Sequence, residues 1–142
     1  MTSVEGIIET LKPYFAEDKA IIAAYLFGSR VRGRERSGSD VDIAILVDDR
    51  EHRQDRKVLL DRLFPSLGRL LRLDVHILIL NDASYLARIE ALSQGRLIHV
   101  LDDIVLAQFR LMSYVLFAEY APYLRQLQHK LKQRLGISDY GE

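Results

Sequence analysis

Two apolar segments of strand length flank a polar stretch rich in glycine and serine, and the rest of the chain has to fold around that arrangement. Residues 20–27 form an unbroken apolar run that ends at Gly28-Ser29. Such a run, bounded by a glycine turn, reads as a strand buried on both faces. In residues 40–47, Val41, Ile43, Ile45 and Val47 alternate with Asp40, Asp42, Ala44 and Leu46. That period of 2 belongs to a strand whose two faces differ. A pair of buried strands needs apolar cover, and the rest of the chain offers helices for it.

Thr2, with Glu5 three positions on, reads as a capping box for a first helix over residues 3–16, carried by Val4, Ile7, Ile8 and Leu11. Residues 29–39 form a loop with one helical turn at most. Asp48 and Glu51 are expected to cap a helix reaching residue 71 that Pro65 kinks or divides, and residues 73–80 form a third strand. Asn81 or Asp82 caps a helix ending before Gly95, and residues 96–101 make a short edge strand. The remainder is helical; Pro122 is expected to split it into residues 103–120 and 122–135, closed by Gly136. The order αβ(α)βαβαβαα describes an α/β (α+β) fold, a small mixed sheet flanked by helices. It forms one domain over residues 1–142, with a core at about 1–101 and a C-terminal helical segment at about 102–136.

Composition narrows the function. Lys+Arg and Asp+Glu both total 20, so the chain is formally neutral, unlike a general polyanion binder that lives on counterion release; no direct nucleic-acid partner is expected. The absence of Cys excludes disulfides and thiolate-held zinc and suits a cytoplasmic address. The longest apolar run falls far short of a membrane span, so no membrane association is expected.

The chemistry concentrates in Gly28-Ser29, a ten-residue gap, and Asp40-Val41-Asp42. Two carboxylates two positions apart on a strand point to one face, with Cα atoms roughly 6.5 to 7 Å apart. Such a pair suits divalent ions held for in-line displacement at phosphorus, and carboxylates are the ligands Mg²⁺ prefers. Asp74, at the start of the third strand, supplies a third carboxylate for metal binding or catalysis. Gly28 permits close backbone approach, and the Ser29 hydroxyl with the N–H groups after it can receive phosphate oxygens. Arg30, Arg32, Arg34 and Arg36 give the loop a local charge of +3 against Glu35, suited to a triphosphate. Arg30 and Ser39, near its two ends, join Gly28 and Ser29 as expected nucleotide contacts. Bringing the acids together requires the first two strands to be antiparallel, and the second and third parallel through a helical crossover.

Leu26-Phe27-Gly28-Ser29, ten residues, then Asp40-Val41-Asp42-Ile43 resembles the signature of the DNA polymerase β-like nucleotidyltransferase superfamily in its minimal nucleotidyltransferase (MNT) branch. The stretch Gly95-Arg96-Leu97-Ile98-His99, followed by Asp102, Phe109 and residues 117–124, is similar to the tail of MntA-type antitoxins, which pair with HEPN-domain toxins. The resemblance implies Gly28 and Ser29 on the nucleotide phosphates, Asp40 and Asp42 on two Mg²⁺ ions, and Asp74 as third carboxylate. It further implies an antitoxin that transfers AMP from ATP to a hydroxyl, a tyrosine by family precedent, of a cognate HEPN toxin in a hetero-oligomer. The alternatives are a non-catalytic antitoxin that blocks its toxin by occupying a surface, and an aminoglycoside-type nucleotidyltransferase subunit. The spacing by itself supports metal-dependent nucleotidyl transfer; the AMP and the toxin come from the resemblance.

His76 shares the Asp74 face by alternation and reads as a polar surface residue, while His52, His99 and His129 have no partners at metal-site spacing. There is no Gly-x-Ser-x-Gly for a serine hydrolase and no Gly-Lys-Ser/Thr for a P-loop. Residues 104–121 carry only Gln108, Arg110, Ser113 and Glu119 as polar positions and offer two apolar stripes: Ile104, Ala107, Leu111, Val115, Ala118 and Val105, Phe109, Met112, Leu116, Tyr120. One stripe can cover the sheet. The other is left for a second protein or for the final helix folding back.

Overall fold

The computed structural model describes residues 3–31, 33 and 40–136. Thr2, Arg32, Arg34, Arg36, Ser39 and the expected helical turn in the loop lie outside the described residues. The elements run α1 (Val4–Ala16), β1 (Ile21–Phe27), β2 (Val41–Val47), α2 (Arg56–Leu71), β3 (Val75–Ile79), α3 (Tyr85–Gln94), β4 (Arg96–Val100) and α4 (Asp103–Leu135), with one 3₁₀ turn, Leu80–Asp82, before α3. The sheet is mixed. Its order is β3-β2-β1-β4, with β1 antiparallel to both β2 and β4 and β2 parallel to β3. Both strand relations required by the acids are therefore present, and β4 is an edge strand as expected.

The sheet separates two apolar clusters, which makes the fold three-layered. On one face, Ile7, Leu11 and Phe15 of α1 and Leu59, Leu63 and Leu67 of α2 pack on Leu26, Val41, Ile43 and Ile45. On the other, Ala91 and Leu92 of α3 and Leu106 of α4 pack on Tyr25, Ala44 and Leu46. Strand β2 is therefore covered on both sides except at its start. There Asp42 takes the place of an apolar residue on the α3–α4 face, and it remains partly exposed. Burying an unpaired carboxylate would be costly, so the position of Asp42 marks where the cover ends.

Several helix boundaries differ from the sequence expectation, each for a local reason. Ser3, in extended conformation, caps α1 by accepting from Gly6 N at 3.1 Å; the Thr2 half of the expected capping box lies outside the described residues. Asp55 caps α2 by accepting from Val58 N; Asp48 and Asp49, the earlier acids, are held by Arg50 and by Gln54 and Arg56. Asn81 brackets the Val47 backbone, accepting from its N–H and donating to its carbonyl at 2.9 Å each, which leaves Ser84 to cap α3.

Neither proline divides its helix: α2 continues through Pro65, and α4 runs unbroken through Pro122 for 33 residues. Both prolines lie on exposed positions. There a carbonyl deprived of its N–H partner can take water instead. The C-terminal segment is therefore one long helix and not two, closed by Gly136 in the left-handed region at φ 69° as the sequence suggests.

Candidate active site

The turn after β1 fixes the first part of the site. Phe27 is the register partner of Asp42, so the chain leaving β1 passes directly over the Asp42 carboxylate. Gly28 sits there at φ +85°, and a Cβ built on it would run into Asp42 Oδ2. Both facts demand glycine: the backbone is in a region that L-side chains avoid, and the space belongs to the carboxylate. Ser29 follows, half-buried, and Arg30 after it is only 5% exposed. Arg30 therefore places its guanidinium inside the protein at the root of the loop.

Asp40 and Asp42 enter from the neighbouring strand and share one face by alternation. Both carboxylates are partly exposed. Asp74 lies just before β3. Its carbonyl accepts from Val41 N at 2.9 Å, which joins the two chains at this end of the sheet, while its side chain is exposed and borders a surface hollow with Gly68, Arg72 and Leu73. The side chain that reaches the Asp pair from β3 is His76. It is the parallel register partner of Asp42, with Nε2 3.0 Å from Asp40 Oδ2 and Nδ1 3.5 Å from Asp42 Oδ1. Alternation placed His76 on the right face, and only the register reveals that it straddles both carboxylates. Ser39 lies outside the described residues.

The donor set consists of two carboxylates on one face, a third nearby on the next chain, and an imidazole between. Oxygen donors of this kind suit Mg²⁺, and the missing Cβ of Gly28 keeps the approach to Asp42 clear. Among the described residues no group of three or more His, Cys, Asp or Glu side chains is placed to hold a metal ion. An open set fits a metal that keeps water and substrate oxygens as ligands.

A second charged cluster lies at the other end of β2. Arg56 donates to Asp49 and to Asp82 at 2.7 Å each, and these bonds hold the Asp49 carboxyl down to about 2 and lower that of Asp82 as well. Arg50 likewise holds Asp48 low and reaches Asp102, the cap of α4. Each of these carboxylates has an arginine partner, which gives the cluster the character of a strap tying the 48–56 loop to the turns that follow β3 and β4.

The family described as polymerase beta, nucleotidyltransferase matches residues 9–104, a span that holds the whole sheet. The chain belongs to this nucleotidyltransferase family. No match is found among curated protein sequences. Among solved structures, a chain of a toxin–antitoxin complex with AMP-PNP is 24% identical with a TM-score of 0.62, covering 87% of this chain and 97% of its own. A chain from the complex of tri-AMPylated Shewanella oneidensis HEPN toxin with MNT antitoxin is also 24% identical, with a TM-score of 0.56 and coverages of 87% and 94%. A third, from a double aspartate-to-glutamate mutant of an MntA toxin–antitoxin complex, is 22% identical at a TM-score of 0.60, covering 87% and 97%. At these identities the likeness is one of fold, and the nucleotidyltransferase fold expected from the sequence is the one these chains share.

Proposed function

We propose that this nucleotidyltransferase is an antitoxin that transfers AMP from ATP to a hydroxyl, such as that of a tyrosine, on a cognate HEPN toxin, in a cytoplasmic hetero-oligomer. The observation that carries the reading is the Gly28 turn laid against Asp42, with Asp40 beside it on the same face. It joins a place for phosphate to a place for divalent metal at one end of the sheet. Support for AMP and for the toxin comes from the fold neighbours, one holding AMP-PNP and another containing a tri-AMPylated HEPN toxin.

In the reaction, the acceptor hydroxyl oxygen attacks the α-phosphorus, a new P–O bond forms, the bond to the bridging oxygen breaks, and pyrophosphate leaves. Asp40 and Asp42 would hold two Mg²⁺ ions, which neutralise triphosphate charge and polarise the phosphoryl group when bound. Gly28 and Ser29 receive phosphate oxygens through backbone N–H groups and the serine hydroxyl, with Arg30 and Ser39 at the same loop. Asp74, exposed on the acceptor side, takes the hydroxyl proton or completes the ligand set.

A second reading is favoured by the outward stripe of α4, where Ile104 and Leu111 are 71% and 68% exposed: a protein that blocks its toxin by binding alone. Mass spectrometry of a candidate HEPN toxin, after incubation with this protein, ATP and Mg²⁺, separates the two. A covalent AMP increment is expected; a tight, unmodified complex selects the second reading.

A further inference from the structure

The side of α4 that packs on the domain continues past the point where the domain covers it. Leu124, Leu127 and Leu131 stand 18 residues, or five full turns, after Leu106, Phe109 and Ser113, and so lie on the same side of the helix. The earlier three are covered: Leu106 and Ser113 are buried, and Phe109 packs against the α3–α4 cluster. Tyr120 still meets the Tyr85 ring at the start of α3, edge to face at 6.2 Å. From Pro122 to Gly136 no residue is buried, and only Leu124 and Lys132 are partly covered. Residues 122–135 therefore extend for roughly 20 Å with an inner stripe that the domain leaves open. Leu127 on that stripe is 54% exposed. The stripe lies across the helix from Ile104 and Leu111, and it is a separate surface from theirs.

The charges beside the stripe define what can cover it. Residues 120–136 contain no Asp or Glu, and their cations edge the leucines on both sides, Arg125 and Lys132 on one and Lys130 and Arg134 on the other. Leucines spaced by 3 and 4 with charges along both edges form a helix–helix seam, in which the edge charges select the partner. A second copy of this chain would set cations against cations, which opposes self-pairing. The apolar stripe is also narrow, as suits one facing helix; a helix lying in a lipid surface needs a broader apolar face. We infer that this extension of α4 docks a helix of the partner protein whose own apolar stripe is edged by Asp and Glu. The inference rests on the reading of that partner as a HEPN toxin, and it adds the surface that holds the toxin and the charge the toxin must present there. None of the residues assigned to the nucleotide site belongs to this stripe, so docking and chemistry can be altered separately.

The test is calorimetric titration of the intact chain with a candidate HEPN toxin at low and high salt. The unaltered protein is compared with Leu127→Glu and with a triple charge reversal that combines Arg125→Glu, Lys130→Glu and Arg134→Glu. Melting temperature and ATP binding should be unchanged in both, which shows that each is folded. Leu127→Glu should weaken association at least tenfold. The triple reversal should do the same at low salt, and its deficit should shrink as added salt screens the charges. Normal toxin binding by Leu127→Glu overturns the inference. Normal binding by the triple reversal, or a deficit that salt leaves unchanged, overturns the acidic character given to the partner helix. Sedimentation of the chain alone and with phosphatidylserine vesicles checks the other occupants: self-association or vesicle binding that Leu127→Glu abolishes, with toxin binding intact, also overturns it. An unaltered chain that neither binds nor AMPylates the toxin overturns the antitoxin reading and this inference with it, whereas AMP transfer to a toxin that both variants bind normally overturns only the docking surface.

Discussion

Gly28 couples two requirements that are usually separate, a turn at φ +85° and room for a functional carboxylate. Gly28→Ala should therefore cost more than a turn substitution. The left-handed backbone is penalised by about 1 to 2 kcal/mol, and the new methyl must push the Asp42 side chain aside. Nucleotidyl transfer is expected to fall at least a hundredfold with a modest loss of melting temperature; full activity in a folded Gly28→Ala protein would separate the turn from the site. Asp42→Asn should act in the opposite sense on stability. It removes a charge from a partly exposed pair, so the apo protein keeps or gains stability while transfer with Mg²⁺ is lost. Thermal melts and a transfer assay on the same preparation check both halves. Asp74→Asn should reduce turnover while weakening ATP binding less than Asp42→Asn does, because a group on the acceptor side contributes mainly in the transition state. Near-normal turnover would move the third carboxylate's role elsewhere.

At the scale of elements, the strands were readable because their signals are local. The period of 2 in β2 and the apolar run of β1 do not depend on neighbours, and the need to gather the acids at one end dictated both strand directions. The helix starts were less readable, because a capping Asp is not distinguishable in sequence from an Asp that meets an arginine. Asp48 and Asp82 both look like caps, and they are occupied by Arg50 and Arg56. His76 escaped for a related reason, since strand alternation gives a face but not the register that sets it opposite Asp42. The Arg56 cluster yields a test of its own. The Asp49 carboxyl lies at about 2 against an ordinary 3.8, so the folded state binds its proton less readily than the unfolded chain. Its stabilisation is complete above about pH 5 and is lost as pH falls toward 2. Arg56→Met should cost ~1–2 kcal/mol near neutral pH, and the difference in melting temperature between it and the unaltered protein should shrink as pH drops through that window. A difference independent of pH would mean that Arg56 contributes by packing alone.

For the whole molecule, α4 decides what the domain can meet. The helix is long and apolar enough, by length and composition, to cross a bilayer. Its inner side is nevertheless tied to the domain: Leu106 is buried in the α3–α4 cluster, and Arg110 donates to Tyr25 Oη at 3.1 Å and to the Leu92 carbonyl. Of the two stripes drawn from the sequence, the one with Val105, Phe109 and Leu116 lies toward the body, although Met112 and Tyr120 of that set are exposed. The one with Ile104, Leu111 and Val115 faces away. A charge at half-buried Leu116 would therefore strike the fold, and Leu111 is the residue that tests a docking surface. Leu111→Glu should leave the melting temperature and ATP binding unchanged while weakening association with the toxin at least tenfold, since a buried leucine contributes roughly 1.5 to 3 kcal/mol. Leu116→Glu should lower the melting temperature in the isolated protein. The comparison is made by measuring toxin binding, ATP binding and melting for both variants together. If Leu111→Glu binds the toxin normally, the partner sits elsewhere on the domain, and the long helix needs another occupant for its outward face.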